Sequence, residues 1–175
     1  AALFMAKTVT LYTGALNDDL SPGETFTHMN HALCQNNDAC MFVTALCGTL
    51  DLDTGRLVMA NAGHMHPVQK TKNASAELPV DGALALGLME DTEYPNVNHT
   101  LDPQTSLLMY TDGISEAFNP AGEQYEEQRL LAFVAQANDL SADALGTSSM
   151  ADVEKFVDNA EQSDDITLMV IHYGK

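Results

Sequence analysis

Apolar and polar positions along this chain change period several times, and each change marks an element. Ala1–Tyr12 is apolar on nearly every side and reads as a helix, with no start methionine and no capping residue before it. Ser21-Pro22-Gly23-Glu24 then carries the residues of a helix start. Ser21 suits the cap, Pro22 the first helical position and Glu24 the reciprocal side of a capping box. Phe26, Met29 and Leu33 follow at helical spacing, so the helix extends to about Cys34. Met41–Leu50 is rich in β-branched and aromatic residues and predicts a strand. Asp53-Thr54-Gly55-Arg56 forms a turn, and Leu57–Ala62 returns as the partner strand of a hairpin.

Shorter strands are expected at Pro67–Lys70, Ala85–Leu88 and Val97–Leu101, and a firmer one at Ser106–Tyr110. Lys70–Glu77 reads as a polar loop. Glu126–Ala137 carries Leu130, Leu131, Phe133 and Val134 at helical spacing. A further helix is expected from about Ser149 to Asn159, with Asp152 in its third position and Val153, Phe156 and Val157 facing inward. Ile166–Tyr173 closes the chain as a strand. Helices, then antiparallel strands, then helices and one more strand describe an α+β layered domain, not alternating βαβ units. At 175 residues, a single domain spanning residues 1–175 is expected.

Charge narrows the function. Seven basic against 25 acidic residues give 7 − 25 = −18, which excludes a nucleic-acid binder that works by neutralising phosphates. It equally opposes contact with an anionic membrane surface. No apolar run is long enough to span a bilayer. Cys34, Cys40 and Cys47 are odd in number and lack C-x-x-C spacing, so neither a zinc site nor a disulfide framework is indicated. Reduced thiols in a cytoplasmic protein fit this pattern.

The most informative stretch is Leu107–Glu116. There an apolar run ends in Thr111-Asp112-Gly113 and a short helical pattern follows. This delivers the Asp112 carboxylate at the exit of a buried strand, where Gly113 lets the backbone turn. Asp164-Asp165 stands directly before the last strand. Two carboxylate-bearing strand ends, distant in sequence, are what a hard cation in a sheet crevice requires. Taken alone, each is also an ordinary turn. His64-Met65-His66 is not read as a metal site; its two histidines are taken as structural. Asp51-Leu52-Asp53-Thr54-Gly55 mimics the start of a calcium loop, but the required Glu is Ala62, so it is a hairpin turn.

With these elements in order, the chain resembles the SpoIIE/RsbU-type branch of the metal-dependent (PPM, protein phosphatase 2C-like) serine/threonine phosphatases. The likeness is carried by AALFMA at Ala1–Ala6, LSPGETFTHMNHAL at Leu20–Leu33 and FVTALCGTLDLDTGRLVMANAGHMHPV at Phe42–Val68. It continues through Leu86–Leu88, LLMYTDGISEAFN at Leu107–Asn119 and SDDITLMVI at Ser163–Ile171. The resemblance implies a sandwich of two antiparallel sheets flanked by helices, with two Mn²⁺ or Mg²⁺ ions at one end. It implies Asp112 and Asp164 as catalytic metal ligands, with Asp165 as a supporting neighbour. For Asn61, His64 and Gly113 it implies proximity to substrate, although a structural turn at Asn61–His64 is an equal alternative. The family's G-D-x-x-D and D-x-S-G-K-G motifs precede the segment matched by Ala1–Ala6. The sequence is therefore expected to be a piece lacking the N-terminal strands and the bridging metal ligands.

The activity so implied is hydrolysis of phosphoserine or phosphothreonine on a regulatory protein of the anti-sigma-factor-antagonist type, with an N-terminal sensor or receiver domain in control. A homodimer is left open. The alternative is a catalytically incomplete module of the same fold that acts by binding its partner.

Overall fold

The computed structural model describes residues 2–174. In chain order the elements are α1 (Ala2–Ala15), α2 (Pro22–Cys34), β1 (Ala45–Leu50), β2 (Arg56–Ala62), β3 (Val68–Lys70), β4 (Ser75–Glu77), β5 (Val97–Thr100), β6 (Thr105–Tyr110), α3 (Asp112–Ser115), α4 (Glu127–Gln136), α5 (Ala142–Val157) and β7 (Leu168–Tyr173). Every strand pairing is antiparallel, in two sheets ordered β1-β2-β5 and β4-β3-β6-β7. The expected α+β class, with two antiparallel sheets and flanking helices, holds. The chain forms two compact units, residues 1–64 with 80–100 and residues 65–79 with 101–175.

In the first unit, α2 packs on β1 and β2. The capping box is formed: Glu24 accepts from the Ser21 amide at 2.9 Å, and the Ser21 hydroxyl accepts from the Glu24 amide at 3.4 Å. That start sets Phe26, Met29 and Leu33 on one buried face against Ala60, Ala62, Leu86 and Tyr94. Phe26 and Tyr94 meet edge to face at 5.8 Å. Burial pushes the Tyr94 phenol up to about 12. The β1–β2 hairpin turns on Asp51, whose carboxylate accepts from the amides of Asp53 and Thr54 at 2.8 and 3.1 Å. The first helix continues past Tyr12 to Ala15. Phe4, Leu11 and Tyr12 pack against the core, while Leu3, Val9 and Leu16 are exposed.

Ala85–Leu88 is not a strand. Leu86 makes a single bridge to Val43, and Gly87 turns away at φ +92. Side-chain amides take over from a ladder: buried Asn30 accepts from the Gly87 amide at 2.8 Å, and Asn37 donates to the Gly87 carbonyl at 3.0 Å. Met41–Thr44 likewise lies before the β1 ladder, which begins at Ala45.

The second unit buries Val68, Leu108, Tyr110, Ile114, Tyr125, Leu130, Val134, Leu145 and Val153 together. Lys70 is only 2% exposed and donates to the Ala135 carbonyl at 2.8 Å, where the last carbonyls of α4 lack helical partners. Residues read as a polar loop contain strand β4, which pairs with β3 through a tight Thr71–Ala74 turn. Helix α5 starts at Ala142, not Ser149, because Ser141 caps it by accepting from the Ala144 amide. Asp152 is consequently mid-helix. It accepts a 2.7 Å bond from the Tyr125 hydroxyl and lies 3.7 Å from Arg129, whose guanidinium sits over the Phe156 ring at 4.4 Å.

Helix α4 opens at Glu126, which has φ 64 and ψ 151. That region is occupied almost only by glycine and strains any other residue by about 1–3 kcal/mol. Replacing Glu126 by glycine removes the strain but loosens the unfolded chain by up to about 1 kcal/mol. Glu126→Gly is therefore expected to raise the unfolding free energy by about 1 kcal/mol in urea titrations. An unchanged or lower midpoint would show that this backbone is unstrained.

Candidate metal centre

All three predicted aspartates lie in the second unit, at the end of β6 and β7. The ladder runs from Thr105↔Tyr173 to Tyr110↔Leu168. It continues one pair further through one backbone and one side-chain bond: the Thr111 amide donates to the Thr167 carbonyl at 3.1 Å, and the Thr167 amide donates to the Thr111 hydroxyl at 3.0 Å. That hydroxyl in turn donates to the Asp165 carbonyl at 3.2 Å. Thr111 thus ties the segment carrying Asp112 to the segment carrying Asp164 and Asp165. Both threonines stand inside the motifs identified from sequence, yet their clamping role was not read there.

Asp112 is the first residue of α3, and its carbonyl accepts from the Glu116 amide at 2.8 Å. Its side chain is exposed, and no hydrogen bond to its carboxylate is found among the described residues. Asp164 and Asp165 are exposed as well; the Asp164 carboxylate accepts from the Asp165 amide at 2.7 Å. Gln162 donates to the Asp164 carbonyl at 2.7 Å. Gly113 is buried, and a Cβ built on it would lie 2.4 Å from the Asp165 carbonyl oxygen. The residue after Asp112 is therefore glycine because the Asp165 backbone occupies the space of a side chain.

Carboxylates are the right donors for Mg²⁺ or Mn²⁺, which take oxygen ligands and retain waters. Asp112, Asp164 and Asp165 each offer a donor of that kind. Among the described residues, no group of three or more His, Cys, Asp or Glu side chains converges to hold an ion. The donors fit a cation in kind, and they fall short in number of a two-ion set.

Asn61 and His64 belong to the first unit. Asn61 is 4% exposed; its amide donates to the carbonyls of His64 and Val80 at 2.9 and 3.1 Å and accepts from the His64 amide at 2.7 Å. With Gly63 at φ +68, these bonds close a turn at the end of β2. Asn61 accordingly has a structural role that accounts for its burial. The His64 ring meets the Thr44 hydroxyl at 3.4 Å.

Comparison with known proteins sets this geometry in a family. The family model described as Stage II sporulation protein E (SpoIIE) matches residues 1–174. Protein IcfG of Synechocystis is 29% identical over 145 residues, covering 79% of this chain and 22% of that protein. Phosphoserine phosphatase RsbU of Bacillus subtilis is 27% identical over 117 residues, covering 64% of this chain and 34% of its own length. The chain thus spans about a third or less of these relatives. Among solved structures, the SiaA-PP2C domain of Pseudomonas aeruginosa shares the fold with a TM-score of 0.83 at 19% identity, over 98% of this chain and 69% of that one. The phosphatase domain of SpoIIE from Bacillus subtilis, presoaked with Mn, has a TM-score of 0.66 at 15% identity, over 95% and 73% of the two chains. No helix among the described residues is long and apolar enough to cross a membrane.

Gly113→Ala tests the close approach at the sheet end. Its methyl meets a backbone carbonyl that no rotamer change can clear, so the substitution should cost about 2–3 kcal/mol. Urea denaturation measures that loss, and amide exchange at Ile166 and Thr167 should accelerate with it. A neutral Gly113→Ala would mean the two segments are not in contact.

Proposed function

The chain belongs to the SpoIIE family, and from that premise we propose that it is part of a metal-dependent phosphoprotein phosphatase acting on phosphoserine or phosphothreonine. The observation that supports this reading most is the β6–β7 clamp, which brings the Asp112 and Asp164-Asp165 segments to one sheet end. Asp112 and Asp164 would hold Mn²⁺ or Mg²⁺, with Asp165 beside them. When bound, a pair of such ions polarises the phosphoryl group and lowers the pKa of a coordinated water. Within this chain the residues do the positioning. Thr111 fixes the strand register, Gly113 admits the Asp165 backbone, and the exposed Asp112 carboxylate is left without a protein hydrogen bond among the described residues. Asn61 and His64 shape the turn that closes β2.

The regulatory role follows the relatives. RsbU is a phosphoserine phosphatase, and by extension the substrate here is a phosphorylated regulatory protein of the anti-sigma-factor-antagonist type, in the cytoplasm. A sensor or receiver domain elsewhere in the whole protein fits the small share of its relatives that this chain spans. One observation favours a second reading: three converging ligands are lacking among the described residues. On that reading the module binds its phosphorylated partner without turning it over.

Asp112→Asn separates the readings. No hydrogen bond to this exposed carboxylate is found among the described residues, so melting in EDTA should change by no more than about 0.5 kcal/mol. Mn²⁺ at about a hundred times its dissociation constant should stabilise the unsubstituted chain by about 2.7 kcal/mol, and the variant should lose that gain. A drop of several degrees in EDTA would make Asp112 a structural turn residue. Absence of any Mn²⁺ effect in the unsubstituted chain would favour the binding module.

A further inference from the structure

A cavity of about 110 Å³ opens in the second unit beside the candidate centre. Its walls are apolar, from Ala117, Phe118, Met150, Val153 and Val157. Its lining includes a neighbour of each candidate ligand segment: Gly113 follows Asp112, and Ser163 precedes Asp164. Phe118 is 39% exposed, so a large ring already borders the opening and faces water. Glu154 and Glu161 also line the cavity, and both are exposed.

Three properties of this feature point to one kind of occupant. A cavity of about 150 Å³ with apolar walls admits benzene, so this one matches a single aliphatic side chain. Two exposed carboxylates on a chain of net charge −18 favour a cation beside that side chain and oppose an anion. An extended peptide advances about 3.3–3.6 Å per residue. A peptide whose phosphorylated residue lies at Asp112 and Asp164 therefore reaches the cavity within a few residues.

We propose that this cavity is the specificity pocket for the phosphoprotein partner. It takes one aliphatic side chain close in sequence to the phosphorylated residue, with a neighbouring Lys or Arg facing Glu154 and Glu161. The proposal rests on the phosphatase-type reading of the Asp112 end. It adds what that reading lacks, a reason for this chain to choose among phosphoproteins. Bound this way, the partner covers the Phe118 edge and the cavity walls, and its cation stays at the wet rim where charge pairs steer binding.

The test uses short phosphoserine peptides of glycine and alanine in which one leucine and one arginine are walked through the flanking positions. Binding to the 175-residue chain is followed by fluorescence anisotropy, in EDTA and in Mn²⁺. At one position, leucine should improve affinity over alanine about tenfold, the effect of burying one such side chain. Val157→Trp, which fills the cavity, should abolish that preference. Glu154→Gln with Glu161→Gln changes only exposed carboxylates; it should remove the arginine preference and leave the leucine preference, and it decides the matter should the tryptophan variant not fold. Indifference to leucine at every position, or a leucine preference that survives the filled cavity, overturns the pocket. Self-association of the chain that the filled cavity abolishes, without a leucine effect, would assign the pocket to a second copy and overturn it as well. The phosphate arm reports separately: a leucine preference equal for phosphorylated and unphosphorylated peptides, with or without Mn²⁺, upholds the pocket and sinks the metal-centre reading.

Discussion

The register of β6 on β7 is the constraint from which the candidate site follows. Antiparallel pairing from Thr105↔Tyr173 to Tyr110↔Leu168 makes the positions beyond it, 111 and 167, partners by necessity. A slip of one residue would turn every side chain to the opposite face and would take Asp112 away from the 164–165 segment. The threonine pair resists that slip at the point where the ladder ends, since Thr111 uses both its amide and its hydroxyl on the facing strand. Backbone direction, more than side-chain attraction, thus brings acidic residues some fifty positions apart in sequence to one place. That matters because like charges do not gather unaided.

The acidic segments are held largely through their backbone carbonyls; the Asp164 carboxylate also accepts from the Asp165 amide, while no hydrogen bond to the Asp112 carboxylate is found among the described residues. Thr111 binds the Asp165 carbonyl, Gln162 binds the Asp164 carbonyl, and the Glu116 amide binds the Asp112 carbonyl. Backbone atoms bear the positioning and leave the Asp112 carboxylate exposed to solvent, where water screens its repulsion from its neighbours. A cation arriving there displaces water and breaks no internal bond. The contrast with Asp152 is instructive. That carboxylate accepts from Tyr125, lies against Arg129 and is built into the core edge, and with burial it pushes the Tyr125 phenol well above its ordinary range. Two acidic residues of one unit therefore do opposite work, one structural and one open to a ligand.

Elements with a local physical signal were legible in the sequence. The Ser21–Glu24 capping box and the Asp51 turn depend on residues within a few positions, and both formed as read. The β6 and β7 strands, and the corner at Asp112-Gly113, were legible from apolar runs that stop at polar turns. What failed depends on distant partners. Ser75–Glu77 looks like a loop because an edge strand needs no apolar face, and β4 is the edge of its sheet. Ala85–Leu88 looks like a strand, but its backbone is held by Asn30 and Asn37 from far upstream. The early start of α5 was hidden by Gly146, a poor helix former that stands next to Val170 of β7. The site was half legible for the same reason. Its acidic residues sit in recognisable motifs, whereas the cavity beside them forms where Met150, Val153 and Val157 of α5 meet Gly113, Ala117 and Phe118 and residues 161–166, a juxtaposition that no single segment's pattern shows.

Centre and cavity share one structural cause. Gly113 has no side chain, so the Asp165 carbonyl can approach within contact of its backbone, and this sets the distance between α3 and the segment before β7. The same approach makes Gly113 and Ile166 part of the cavity lining. A side chain at position 113 would separate the acidic segments and reshape the opening together. Any chemistry at the carboxylates and any selection at the cavity are then coupled through a single glycine. On the proposed reading, a partner that filled the cavity would press on the same backbone that carries Asp112, and recognition of the flanking residue and alignment of the phosphorylated one would become a single event.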